Sequence, residues 1–183
     1  MTSSKGFRTV GFFDKGYAKD EVDDFLHRAK EAYNGPLTPN FDENTIRNAA
    51  FHRQRRGYLP ADVDEALDRL EAAFIQKRRS LVVADRGENA WLNTTAQDAK
   101  SLYPRFFRPA GQRFADADGW GYSKSDVDAL VDRLSDYFDG KVELSAKNIR
   151  DAVFSPAKGS SAYDEAVVDV YLERATSVLL SVE

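Results

Sequence analysis

The chain has 183 residues, enough to bury a sizeable core as one domain or two small ones. Its 42% hydrophobic and 31% charged residues are those of a soluble globular protein, and a net charge of -4 gives no overall pull toward nucleic acid or anionic membrane. The absence of cysteine excludes disulfides and thiolate metal sites; no apolar run approaches the roughly 20 residues of a bilayer span, and Met1-Thr2-Ser3-Ser4-Lys5-Gly6 lacks the apolar stretch of a signal peptide, so a cytoplasmic protein is expected.

In chain order, the first predicted helix follows Tyr17, with Val22, Phe25, Leu26, Ala29 and Tyr33 on one face, and stops at Asn34-Gly35-Pro36. Leu37-Thr38-Pro39 introduces a short helix carrying Ile46 and Phe51, which leads into the basic loop His52-Arg53-Gln54-Arg55-Arg56. After Gly57-Tyr58, Pro60 stands at the first position of a helix with Val63, Leu67, Leu70 and Phe74 on its apolar face. That helix runs on through Leu81-Val82-Val83 and ends at Arg86-Gly87. Asn93-Thr94-Thr95 is read as the cap of another helix, in a middle segment rich in aromatics (Trp91, Tyr103, Phe106, Phe107). Ser123, with Asp126 three residues on, resembles a capping box for a helix carrying Val127, Leu130, Val131, Leu134 and Phe138, which stops at Asp139-Gly140. Leu144-Ser145 introduces a second short helix with Ile149 and Phe154, and Asp164 caps a last helix with Val168, Leu172, Ala175 and Leu179. No alternating strand pattern stands out, so the expected fold is all-α.

One pattern recurs four times along these helices. Gly16-Tyr17, Gly57-Tyr58, Gly121-Tyr122 and Ala162-Tyr163 are each followed, five residues after the Tyr, by Val22, Val63, Val127 or Val168. The next residue is always Asp (Asp23, Asp64, Asp128, Asp169), and eleven after the Tyr is always Arg (Arg28, Arg69, Arg133, Arg174). Tyr17 to Tyr58 and Tyr122 to Tyr163 are both 41 residues, while the two pairs are offset by 105. Ile46-Arg47-Asn48-Ala49-Ala50-Phe51 before the second Tyr matches Ile149-Arg150-Asp151-Ala152-Val153-Phe154 before the fourth; Phe7 and Phe114 stand roughly there before the first and third. A pair of units was duplicated as a pair, giving two similar halves. The predicted division is 1–80 for the first pair, 81–104 for a helical connection and 105–183 for the second pair. Asp and Arg lie about 140° apart around their helix and cannot pair on one face. Either each ties its unit together through backbone or inter-copy contacts, or Asp and Arg of paired copies cross-bridge. The tyrosines are expected as core aromatics with hydrogen-bonded hydroxyls.

Convergent catalytic chemistry is not legible. His27 and His52 lie in different elements, there is no phosphate-binding glycine loop, and Asp20-Glu21 and Asp23-Asp24 read as complements to a helix N-terminus. Asp116-Ala117-Asp118-Gly119 imitates a calcium loop, yet the alignment that makes Gly119 the sixth position puts Phe114 first and Ser125 twelfth, where carboxylates are essential. No enzyme activity, metal or cofactor is expected.

Leu37-Thr38-Pro39, Ile46-Arg47-Asn48-Ala49-Ala50-Phe51, Arg56-Gly57-Tyr58 and Asp62-Val63-Asp64 with Leu67 together resemble the N-terminal domain of the DivIVA family. Gly16-Tyr17-Ala18-Lys19-Asp20-Glu21-Val22-Asp23-Asp24-Phe25-Leu26 matches the second part of that motif. Through its four copies the chain is similar to actinobacterial DivIVA-domain repeat proteins. The resemblance implies tandem helix-loop-helix units and a non-enzymatic scaffold or adaptor of bacterial cell division or polar growth, at the septum or cell pole. It also implies Gly-Tyr units that pair, here within one chain, which leads to an expected monomer or weak dimer. The family's long coiled coil is not expected, because no heptad pattern is sustained. Family members bind curved membrane through the loop before the Tyr, so the alternative reading is a peripheral protein in weak contact with anionic lipid. Candidate partner- or membrane-binding residues are Phe12, Phe13, Lys15, Arg53, Arg55, Arg56 and Trp120; Phe12 and Phe13 are otherwise core aromatics. Three arginines in one loop of an acidic chain, with no stacking platform, give no expectation of nucleic-acid binding.

Overall fold

The computed structural model describes residues 6–36 and 40–183. Leu37-Thr38-Pro39, expected to introduce the first short helix, and residues 1–5 lie outside the described residues. The chain divides into two compact units, Met1–Leu81 and Val82–Glu183.

In the first unit, β1 (Lys15–Tyr17) leads into α1 (Lys19–Asn34), where Asp20 and Glu21 complement the positive end of the helix and Val22, Phe25 and Ala29 are buried. Gly35 closes α1 by donating its N–H to Glu31 O at 2.9 Å. The short α2 (Glu43–Arg47) is nucleated by a capping box: the Thr45 N–H donates to Asp42 Oδ1 at 2.9 Å, and the Asp42 N–H donates back to the Thr45 hydroxyl at 3.3 Å. The chain then returns as β2 (Arg53–Arg55), antiparallel to β1 with Lys15 opposite Arg55 and Tyr17 opposite Arg53. It ends in α3 (Pro60–Arg86), whose first residue is the proline. Phe25, Ala29, Phe41, Ile46 and Phe74 make the core, with Phe51, Leu67 and Leu70 packed against it.

The second unit opens with α4 (Glu88–Lys100) and α5 (Tyr103–Phe106), then repeats the plan: β3 (Trp120–Ser123), α6 (Lys124–Phe138), α7 (Ala146–Arg150), β4 (Pro156–Lys158), β5 (Ala162–Tyr163) and α8 (Glu165–Val182). The strands form an antiparallel sheet in the order β4-β3-β5. The middle segment is part of this unit's interior. Trp91 is buried and donates its indole N–H to Ser181 O at 3.0 Å, Leu102 is fully buried, and the Tyr171 hydroxyl donates to Leu102 O at 3.2 Å. Tyr103 and Phe106 stack on Phe138, whereas Phe107 is exposed.

The fold is therefore mostly helical, without a long coiled coil among the described residues, but it is not all-α. The two small sheets escape sequence patterning because each strand has only two to four residues and takes its register from a segment far along the chain. Two expected helix starts also differ. Asn93-Thr94-Thr95 lies inside α4, where the Thr94 hydroxyl donates back to Ala90 O at 3.0 Å instead of capping. Ser123 precedes α6 without a side-chain cap; its hydroxyl pairs with that of Ser125, and Asp126 reaches the Ser155 N–H at 2.8 Å. The capping box of the second half is at Ser145 and Asn148 instead.

The equal 41-residue spacing conceals compensating length changes. From Tyr17 to the α2 cap Asp42 is 25 residues, but from Tyr122 to the α7 cap Ser145 is 23. The second unit restores the difference with a three-residue turn, Gly159–Ser161, between β4 and β5, where the first unit has Arg56 alone.

Candidate functional site

The repeated residues of each unit are cross-wired. In the first, Tyr17 and Tyr58 exchange backbone hydrogen bonds, each N–H donating to the other's carbonyl at 2.9 Å. The chains approach so closely that a Cβ on Gly16 would lie 2.2 Å from Tyr58 O, and one on Gly57 would lie 2.4 Å from Tyr17 O. Above this pair the side chains cross over. The Tyr58 hydroxyl donates to the carboxylate of Asp23, from the first copy, at 3.1 Å, while the Tyr17 hydroxyl lies within the influence of Asp64 from the second. The second unit repeats the crossing: Tyr163 donates to Asp128 at 3.0 Å, and Tyr122 lies within the influence of Asp169.

The aromatic supports are exchanged as well. Phe51 precedes Tyr58 in sequence but stacks on Tyr17 (5.4 Å between centroids), and Phe7 precedes Tyr17 but stacks edge-on against Tyr58 (5.2 Å). Phe154 on Tyr122 and Phe114 on Tyr163 do the same at 5.0 and 5.3 Å. Burial raises the pKa of all four tyrosines, so their hydroxyls remain donors, and the neighbouring carboxylates add to the shift.

Of the two readings of the repeated Asp and Arg, the Asp–Arg cross-bridge does not form. Each Asp is taken by the tyrosine of the other copy, and the repeated arginines stay on the surface. Arg28 pairs with Asp24 at 3.1 Å, Arg69 with Glu65 at 2.7 Å, and Arg133 and Arg174 donate to Glu143 O and Ser101 Oγ at 3.4 Å. Five residues separate Asp from Arg, so the face that turns Asp toward the pairing strand turns Arg to solvent.

The seven candidate contact residues fall on the short strands and the turns next to them, ahead of the tyrosines. In the first unit, Phe12 and Phe13 are exposed at 56% and 86%, on a turn in which the Asp14 N–H donates to Gly11 O at 3.1 Å. They are surface residues, not core aromatics. From Thr9, which bridges to Tyr58, to Tyr17 is eight residues; from Asp116, which bridges to Tyr163, to Tyr122 is six. The first unit's turn is thus two residues longer, and those residues carry the phenylalanines. Phe12 packs edge-on against Phe13, with the Arg56 guanidinium 4.2 Å from its ring centroid. Arg53 lies 4.6 Å over Tyr17, and Lys15 stands directly across the ribbon from Arg55 with no carboxylate partner for either among the described residues. Two local rules are broken here: like charges face each other across strands, and Arg56 has a left-handed backbone with φ 55°. In the second unit the same places hold Trp120 opposite Lys158, its ammonium 4.4 Å from the indole, and Gly159 with φ 52°. Trp120 is 65% exposed.

One pair of side chains escaped sequence reasoning although its geometry is repeated. Glu21 clamps the strand end by accepting the His52 N–H at 2.8 Å and the His52 imidazole at 2.8 Å, and Asp126 accepts the Ser155 N–H at 2.8 Å. These bonds hold both carboxyls below their usual range. The signal was the acid one residue before three of the four repeated valines, Val22, Val63 and Val127. Among the described residues no three His, Asp or Glu side chains converge as a metal-binding group, and no helix is long and apolar enough to cross a membrane. The chain matches no protein-family model, no curated protein and no solved structure.

Proposed function

We propose that the chain is a non-enzymatic scaffold or adaptor, built on DivIVA-like units and acting through protein–protein contacts in bacterial cell division or polar growth. The observation that carries this reading is the crossed pairing of the tyrosine units within one chain, which commits the repeated Tyr and Asp side chains to structural contacts and leaves aromatic and basic side chains exposed near the strand ends. Exposed Phe beside Arg in the first unit, and exposed Trp beside Lys in the second, are the chemistry of interface anchors. The protein works without a cofactor, as a cytoplasmic monomer or weak dimer recruited to the septum or pole. A fluorescent fusion at native expression level in an actinobacterial host tests it. Septal or polar foci are expected, and a diffuse signal would overturn the reading.

A specific observation also favours peripheral membrane attachment: Phe12 and Phe13 project from the first unit beside Lys15, Arg55 and Arg56. Basic residues near an anionic surface contribute about 1 kcal/mol each. Flotation with anionic vesicles that survives the Phe12→Ser/Phe13→Ser double change would remove it.

A further inference from the structure

The charge of the chain is divided unequally. Residues 1–81 carry 14 Lys and Arg against 13 Asp and Glu, whereas residues 82–183 carry 12 against 17. The positive excess of the first unit is gathered where it costs stability: Lys15 faces Arg55 across the ribbon, and Arg56 holds a backbone conformation that the second unit gives to glycine. Violations of local preference concentrated at one place mark a surface shaped for contact rather than for folding. Its chemistry calls for a partner that is anionic and has an apolar point to receive Phe13.

The second unit offers such a surface. On α8, Glu165, Asp169 and Glu173 lie four residues apart on one exposed face, with Val170 beside them at 65% exposure. The matching stretch of α3 in the first unit carries Asp64, Glu65 and Asp68, but there Arg69 pairs with Glu65 and Arg53 adds its positive field to Asp64. Arg174, the counterpart of Arg69, turns instead to Ser101 Oγ, and neither Glu165 nor Glu173 has an ionic partner among the described residues. The position of Glu65 is taken by Val170, which replaces a charge with an apolar spot.

We propose that the basic ribbon of one copy docks on the acidic α8 face of a second copy, with Lys15 and Arg55 against Glu165 and Glu173 and with Phe13 against Val170. The two surfaces are different, so the contact is heterologous. This gives a scaffold a way to extend, and in that respect it rests on the scaffold reading above. Charged contacts of this kind weaken as salt shortens the reach of the field, from about 14 Å at 0.05 M to about 4 Å at 0.5 M, scaled from 10 Å at 0.1 M.

Sedimentation velocity of the full chain at about 50 and 500 mM salt tests it, with charge reversal as the control. Wild type is expected to self-associate with concentration at low salt, at least about tenfold more weakly at high salt. Lys15→Glu/Arg55→Glu and Glu165→Lys/Glu173→Lys are each expected to stay monomeric alone and to associate when mixed. The milder Lys15→Gln/Arg55→Gln change covers the case in which reversal harms folding, and it too is expected to stay monomeric. A monomeric wild type at low salt would overturn the proposal. So would association of wild type combined with no association in the mixture, or ribbon-dependent flotation on anionic vesicles by a chain that never self-associates. Loss of septal or polar foci with self-association intact would remove the division reading and leave this contact standing.

Discussion

In the second unit Tyr163 and Asp128 are buried together, and Arg113 closes over them: its N–H donates to the Tyr163 hydroxyl at 3.0 Å and its guanidinium reaches Asp128 O and Asp132. In the first unit the counterparts, Tyr58 and Asp23, meet at the solvent edge with the flexible Lys19 ammonium 5.5 Å from the ring. The crossing is the same, the solvent exposure is not. The motif thus fixes a geometry, while the surroundings decide how much each bond stabilises. A well-covered pairing leaves the second unit's ribbon free of strain; the first unit combines a looser pairing with a strained, highly charged one.

The largest test of this contrast is at the glycines. Alanine replaces glycine naturally at the fourth tyrosine, where Ala162 is fully buried, so Gly57→Ala looks conservative from sequence. The Cβ would meet the Tyr17 carbonyl oxygen at 2.4 Å, and we expect a loss of about 2–3 kcal/mol in urea unfolding. The register around Ala162 is the same, with Tyr122 opposite Tyr163 and Ser123 opposite Ala162, so the second unit accommodates the extra carbon without a change of pairing. Stability unchanged in Gly57→Ala would erase the distinction between the two pairings.

Next come the hydroxyls. Tyr163→Phe leaves the buried Asp128 carboxylate and the Arg113 N–H short of a partner and is expected to cost about 1–3 kcal/mol. Tyr58→Phe, at the solvent edge, is expected to cost less than about 1 kcal/mol by the same measurement. Equal losses would mean that burial does not set the value of the crossed bond. A smaller effect of opposite sign is expected at the ribbon: Arg56→Gly removes a side chain from a left-handed position and should stabilise by up to about 1 kcal/mol in thermal unfolding, while weakening contacts made by the tip.

The smallest effect is in pH. Glu21 and Asp126 have folded-state pKa values below their ordinary ones, so their clamps contribute stability above the ordinary carboxylate range and lose it as pH falls through the folded value. Unfolding midpoints measured between about pH 5 and pH 2 should fall, less steeply in Glu21→Gln and Asp126→Asn. An unchanged slope in both variants would assign the acid sensitivity to other groups.

Helices and the two-fold duplication were legible because Val, Phe and Leu recur at helical spacing and the Tyr, Val, Asp and Arg offsets are constant in all four copies. The strands were not, since three residues such as Arg53-Gln54-Arg55 carry no alternation and only a partner 38 residues away makes them a ribbon. The same holds for the site: offsets identified Asp23, Asp64, Asp128 and Asp169 as structural, but nothing local says that each serves the tyrosine of the other copy. Phe12 and Phe13 were ambiguous for a related reason. Their exposure follows from a two-residue lengthening of the turn, visible only once the bridging residues Thr9 and Asp116 give the halves a common frame.

The exchange of partners between copies also sets a clock on synthesis. Tyr17 must wait 47 residues for Asp64, as Tyr122 must for Asp169, so a single copy leaving the ribosome has no interior of its own to close. At translation rates of 5–20 residues per second that interval is roughly 2–9 s, long compared with the folding of a small helical domain. The nascent chain therefore passes through two such waiting periods, one for each half, with its apolar helix faces uncovered. The first half reaches its final form while the second is still being made, and adding or removing a copy would leave one partner stranded rather than simply shortening the array.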